Sequence, residues 1–215
     1  MRKITIAVTA FVLLTGLVRS LQERIDRITT DIDSTVGVAA LHVESGRRIG
    51  IRANERFPMG SVNKFPIAVA FLRDVDARRL SLSDEITIQP SEFAPNHSPI
   101  RVRAKGQPVT LTLREVLEAT VRNSDNTAAD ALLRLAGGAA AVTRTLTSAG
   151  VTGIDISRSK QQLGADLDRP DGAEKLVTDE RDTTTPAAML ALLERFYARQ
   201  LGLSAESHEL LVHLL

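Results

Sequence analysis

From Ser61 to the end of the chain, apolar residues recur with the period of an α-helix, and only one pair of strand patterns comes before them. The period predicts helices over 62–79, 113–122, 127–136, 139–149, 186–199 and 204–215. Gly137-Gly138 and Gly150 act as stops after helices, and Thr185-Pro186 supplies an N-cap and a first helical residue. The strand patterns, Val36 to Val43 and Arg48 to Arg52, are joined across Glu44-Ser45-Gly46-Arg47, where the glycine offers the positive φ of a tight turn. A two-stranded hairpin cannot stabilise itself and leaves an open edge. The inventory therefore reads as an α/β (α+β) chain, mostly helical, with an incomplete antiparallel sheet. Leu21, Ile25, Ile28 and Ile32 place one apolar stripe on a surface helix. Ser157 to Asp182, rich in charge, Gly and Pro and poor in apolar period, reads as a long ordered loop or an insertion.

Arg2 and Lys3 precede an apolar stretch from Ile4 to Val18, the charge order and length of a secretory signal, too short to span a membrane. Residues 1–20 are expected to be a signal peptide and 21–215 a single folded domain, exported to the periplasm or secreted. Val18-Arg19-Ser20 departs from Ala-x-Ala, so an uncleaved anchor is the alternative, and the membrane is expected as a partner only through it. At 43% hydrophobic, 215 residues can bury a sizeable core, and 27 Lys+Arg against 26 Asp+Glu leave no basic field for nucleic acid. The absence of cysteine excludes disulfides, thiolate metal sites and a cysteine nucleophile. His42, His97, His208 and His213 form no ligand cluster, so neither metal nor cofactor is expected.

Two short motifs can carry chemistry. In Ser61-Val62-Asn63-Lys64, a serine at a helix start has a lysine three residues on, facing the same side. A serine hydroxyl is a poor nucleophile until a base takes its proton, and a neutral lysine can do so. Taken alone, the motif equally describes an N-cap serine and a solvated lysine. Ser124-Asp125-Asn126 lies in a break between helices and displays a hydroxyl and an amide able to bridge the lysine, bind a substrate amide and pass a proton. Taken alone, it equally describes a polar helix cap.

Together, in this order and 63 residues apart, the motifs resemble those of the class A serine β-lactamases and their penicillin-binding relatives. The resemblance extends over Arg52 to Ser61, over Ser124-Asp125-Asn126-Thr127-Ala128-Ala129-Asp130 and over Asp179-Glu180-Arg181-Asp182-Thr183-Thr184-Thr185-Pro186. Phe65-Pro66 and Pro95 to Arg101 are similar to the broad-spectrum subgroup. The resemblance implies the serine β-lactamase/DD-peptidase-like fold and a monomer acting on small-molecule β-lactams. It makes Ser61 the acylated nucleophile, with its backbone N–H one donor of the oxyanion hole. Lys64 becomes the proton partner, Ser124 the shuttle to the β-lactam nitrogen, and Asn126 the amide that holds the substrate side chain. His97 lies near the family's aromatic lip over the substrate, and as a lone loop histidine it equally reads as a solvated residue.

Two departures follow from the same resemblance. The family's deacylation glutamate follows an arginine by two residues, and counting from Gly150 that position falls on Lys160 in Arg158-Ser159-Lys160, with Gly164 where an asparagine helps hold the water. A protonated lysine takes no proton from water. A second register, Leu167-Asp168-Arg169-Pro170-Asp171, would instead make Asp171 the base. No Lys-Thr-Gly or Lys-Ser-Gly occurs, so the domain is expected to lack the C-terminal strands and last helix of the family. The leading expectation is a hydrolase that opens the β-lactam amide through an acyl-serine. The alternatives are a penicillin-binding protein that traps the acyl group and an inactive remnant.

Overall fold

The computed structural model describes residue 21, residues 23–30 and residues 32–215. The expected signal, 1–20, lies outside the described residues. Residues 23–30 are helical, and the expected apolar stripe is largely uncovered, with Ile28 63% and Ile32 44% exposed. No helix among the described residues is long and apolar enough to cross a membrane.

The hairpin forms as its turn chemistry requires: β1 (Val38–His42) pairs antiparallel with β2 (Arg47–Ile51), Val38 opposite Ile51, around Gly46 at φ 67°. Two further two-stranded sheets lay outside the sequence reading. β3 (Phe57–Pro58) pairs with β6 (Thr183–Thr184), and β4 (Glu85–Ile88) pairs with β5 (Val109–Thr112). Each joins segments far apart in sequence, so no local turn announces it.

The helices surround α1 (Lys64–Asp76), in which Lys64 to Leu72 are buried without interruption. A helix buried on every side is a core helix, and this one packs against α3 (Leu113–Val121), α4 (Asn126–Leu135) and α5 (Ala139–Ser148). Leu113, Val116, Leu117, Leu132, Val142 and Leu146 supply the facing apolar surface. The expected helix over 62–79 is shorter at both ends: Gly60–Asn63 is a 3₁₀ turn, and the chain leaves the helix at Ala77, with Arg78 in the left-handed region. α8 (Pro186–Tyr197) starts at the Thr185 cap, as expected, and α9 (Ala205–Leu214) follows the Ser204 cap. Phe196 bridges them to the core, edge-on to Phe65 at 5.3 Å and against His208 at 4.3 Å. A short helix, α2 (Pro99–Ala104), packs against α4.

Ser157 to Asp182, expected as a long ordered loop or an insertion, is ordered and in addition helical in part. It contains α6 (Lys160–Leu167) and α7 (Gly172–Thr178). Their order rests on charge rather than on apolar period. Arg158, buried, donates from Nε to Asp182 at 2.6 Å and from Nη1 to Asp166 and Asp179 at 2.8 and 3.0 Å. Asp182 also accepts the backbone N–H groups of Ser157 and Arg158.

Candidate active site

Ser61 is fixed by what comes before it. The β3–β6 pair, the bond from Met59 N–H to the Asp182 carbonyl (2.9 Å) and the Arg56 guanidinium on Thr183 Oγ1 (2.8 Å) hold the approach to the 3₁₀ turn. Gly60, at φ 54°, then turns the chain so that exposed Ser61 opens the turn and buried Lys64 begins α1.

Ser124 reaches the same point from the other side, at φ 53°, a conformation costing about 1–2 kcal/mol for a non-glycine residue. Its neighbours hold it there. Asp125 is fully buried; its carboxylate accepts the N–H groups of Ala128 (3.0 Å) and Ile100 (2.7 Å) and the Ser98 hydroxyl (3.1 Å). The Asp125 N–H donates to Ala119, and the Asn126 N–H donates to the His97 carbonyl.

The Lys64 amine lies 2.7 Å from the Ser124 carbonyl, 2.8 Å from Asn126 Oδ1, 3.0 Å from Ser124 Oγ and 3.1 Å from Ser61 Oγ. The Ser124 hydroxyl donates to Ser61 Oγ at 3.1 Å. The carbonyl and the amide oxygen are acceptors only, so they take two N–H bonds, whereas the hydroxyls can donate. A neutral amine suits this set: its two N–H groups go to the two acceptors and its single lone pair faces the Ser61 hydroxyl, whose oxygen takes the Ser124 proton. Burial, and next the nearby charge of Lys160, push Lys64 down to about 8, against the opposing pull of Asp125 and Asp130. At pH 7 roughly a tenth of such a lysine is neutral, against ~1 in 3000 for an ordinary one.

Lys160, also buried, donates to the Gly60 carbonyl at 2.7 Å, one residue from the nucleophile. Its pKa too is lowered by burial. Asp171 precedes α7 in an exposed position and pairs with Lys175 at 2.6 Å. Of the two registers, it is the Lys160 one that the fold brings beside Ser61. Gly164, one turn along α6, faces Pro95 so closely that a Cβ there would lie 2.2 Å from the proline Cγ. The Pro95 carbonyl accepts the Asn126 side-chain N–H at 3.2 Å. The His97 ring is exposed and bonds to the Asn123 carbonyl at 2.9 Å, so it borders the site without joining the hydroxyl–amine cluster.

Asp130 is the residue the sequence reading missed. It lies one turn beyond Asn126 on α4, and its two carboxylate oxygens accept the N–H groups of Lys160 (2.6 Å) and Gln161 (2.9 Å). The start of α6 is thereby seated on the helix that carries Asn126. Burial pushes the Asp130 carboxyl up. Its signal in the sequence was the i,i+4 spacing from Asn126. A groove of about 660 Å³ lined by Asp76, Arg79, Leu82, Arg114 and Ser207 lies at the opposite end of α1 and carries no comparable cluster. No group of three or more potential metal ligands occurs among the described residues.

The model of the beta-lactamase enzyme family matches residues 20–215. Beta-lactamase L2 of Stenotrophomonas maltophilia is 38% identical over 74% of this chain and 48% of its own length. Beta-lactamase VEB-1 of Pseudomonas aeruginosa is 33% identical over 79% of this chain and 54% of its own. The crystal structure of a beta-lactamase from Chitinophaga pinensis superposes with a TM-score of 0.80 at 31% identity, covering 90% of this chain and 68% of that one. The chain spans about half the length of these curated relatives.

Proposed function

Since the chain belongs to the beta-lactamase enzyme family, of class A type, we propose that it attacks the β-lactam amide with Ser61 and forms an acyl-serine. The carrying observation is the Lys64 amine, bonded to both hydroxyls and to two obligate acceptors. Lys64 takes the Ser61 proton as Oγ adds to the lactam carbonyl, where the Ser61 N–H stands as one oxyanion donor. The ring C–N bond then breaks, and the proton passes from Lys64 through Ser124 to the leaving nitrogen. Asn126 holds the substrate side chain, and His97 borders it. The function is proposed for an exported protein acting as a monomer, with residues 1–20 as its address.

Whether the adduct is then hydrolysed depends on a base for water. Among the described residues, the hydrogen-bond partners of Ser61 Oγ are Lys64 and Ser124, and the side chain nearest the Gly60–Ser61 peptide from α6 is a cation. This favours a second reading, in which the chain acylates and holds the adduct. Intact mass followed after mixing with a penicillin, with Ser61→Ala as control, tests both readings. A Ser61-dependent adduct is expected, slow to decay in the native chain and faster in Lys160→Glu. Absence of any adduct would overturn the proposal.

A further inference from the structure

Two buried lysines flank one nucleophile, Lys64 from α1 and Lys160 from α6. The hydrogen-bond partners of their amines are neutral oxygens: those of Ser61, Ser124 and Asn126 for Lys64, and that of Gly60 for Lys160. Asp130 on α4, whose charge reaches both amines, has its two oxygens bonded to the N–H groups at the start of α6. Asp125, in the turn before α4, is likewise committed to Ser98, Ile100 and Ala128. Asp182, in the turn before β6, faces Lys160 electrostatically but is held by Arg158. Neither amine therefore has a carboxylate as a direct partner: the charges of Asp125, Asp130 and Asp182 act on them only through space, around a hydroxyl that must lose a proton.

We propose that Lys160 is a positioning residue for the nucleophile: its bond to the Gly60 carbonyl fixes the Gly60–Ser61 peptide, and its charge holds Lys64 as the neutral amine that receives the Ser61 proton. The inference rests on the acyl-serine reading above. It assigns Lys160 to the acylation step, where loss of a deacylating glutamate alone would give it no part. Repulsion between two ammonium groups in a partly desolvated site favours release of one proton. Lys64 gives it up, because only its set of partners includes hydroxyls that can donate in return.

The chain contains five lysines, Lys3, Lys64, Lys105, Lys160 and Lys175, few enough to follow one by one. The test is an NMR titration of ¹³Cε-lysine protein, with Lys64 assigned through Lys64→Arg and folding of each variant checked from its amide spectrum. Lys64 is expected to titrate near its native midpoint in Lys160→Arg. In Lys160→Met it should move up by about one pH unit, a tenfold loss of neutral amine at pH 7. The rising limb of the pH profile for penicillin acylation should move by the same amount. An unchanged Lys64 midpoint in Lys160→Met, or loss of the first proton from Lys160 in the native chain, overturns the inference. If the NMR shift occurs but no variant is ever acylated, the electrostatic role stands and the acyl-serine reading fails instead.

Discussion

Replacing Arg158 by alanine should release α6 and α7 from the body of the protein and, with them, Lys160. Arg158 and Asp182 form a buried pair, each side chain about 6% exposed, at 2.6 Å. Removing one partner of a buried pair typically costs about 3–5 kcal/mol, because the other is left charged without compensation. Here the lower end applies: Asp182 keeps the N–H groups of Ser157 and Arg158, whose backbone donors survive the substitution. Asp166 and Asp179 are more exposed, and both retain Arg181. A local loss of about 3 kcal/mol corresponds to roughly a hundredfold rise in the opening equilibrium of 157–182. Amide hydrogen exchange reads it directly: protection in α6 should fall by about that factor, while α1 and α4 stay protected. Protection in α6 within a few-fold of native would refute the assignment of this segment's order to the Arg158 network. A uniform loss across α1 and α4 would show that the segment does not open as a unit.

Other consequences can be checked independently. Ser124→Ala removes the hydroxyl between Lys64 and Ser61 and should slow acylation about a hundredfold without unfolding the chain, measured as the rate of adduct formation against the melting curve. Gly164→Ala sets a methyl group into the Pro95 ring and should cost about 1–3 kcal/mol in urea titration, with weakened acylation as Pro95 pulls on Asn126; an unchanged midpoint would mean the loop gives way freely. The Arg158 bond to Asp166, and the Arg181 bonds to Asp179, hold those carboxyls below the usual carboxylate range. Their folded values lie below the unfolded ones, so their stabilisation is complete above about pH 4 and fades as pH falls through the folded values. Protection of 157–182 should therefore be level from pH 7 to 5 and fall only below 4; a loss already between 6 and 5 would contradict this.

The helical body was legible because apolar period and caps agree: Thr185-Pro186 and the hairpin glycine act through local geometry that a sequence displays. The Ser61–Lys64 pair was legible for the same reason, since one helical turn brings the two together. What escaped depends on partners distant in sequence. The strands at 85–88 and 109–112 pair with each other across an intervening helix, and those at 57–58 and 183–184 are two residues long. The two helices within 157–182 were not foreseen because ion pairs centred on Arg158 order the segment, and ion pairs leave no periodic trace. Asp130 was overlooked because its function is to seat a backbone, a role that no motif spells out.

The proposed acylation needs Lys64 and Ser124 to act on Ser61 as one assembled nucleophile. Intact-mass spectrometry of the chain over time with a penicillin tests it most directly. A mass increase equal to the whole penicillin is expected, present in the native chain, absent in Ser61→Ala and slow to decay. No increase at any time or pH, in a chain whose Lys64 titrates as expected, would contradict it.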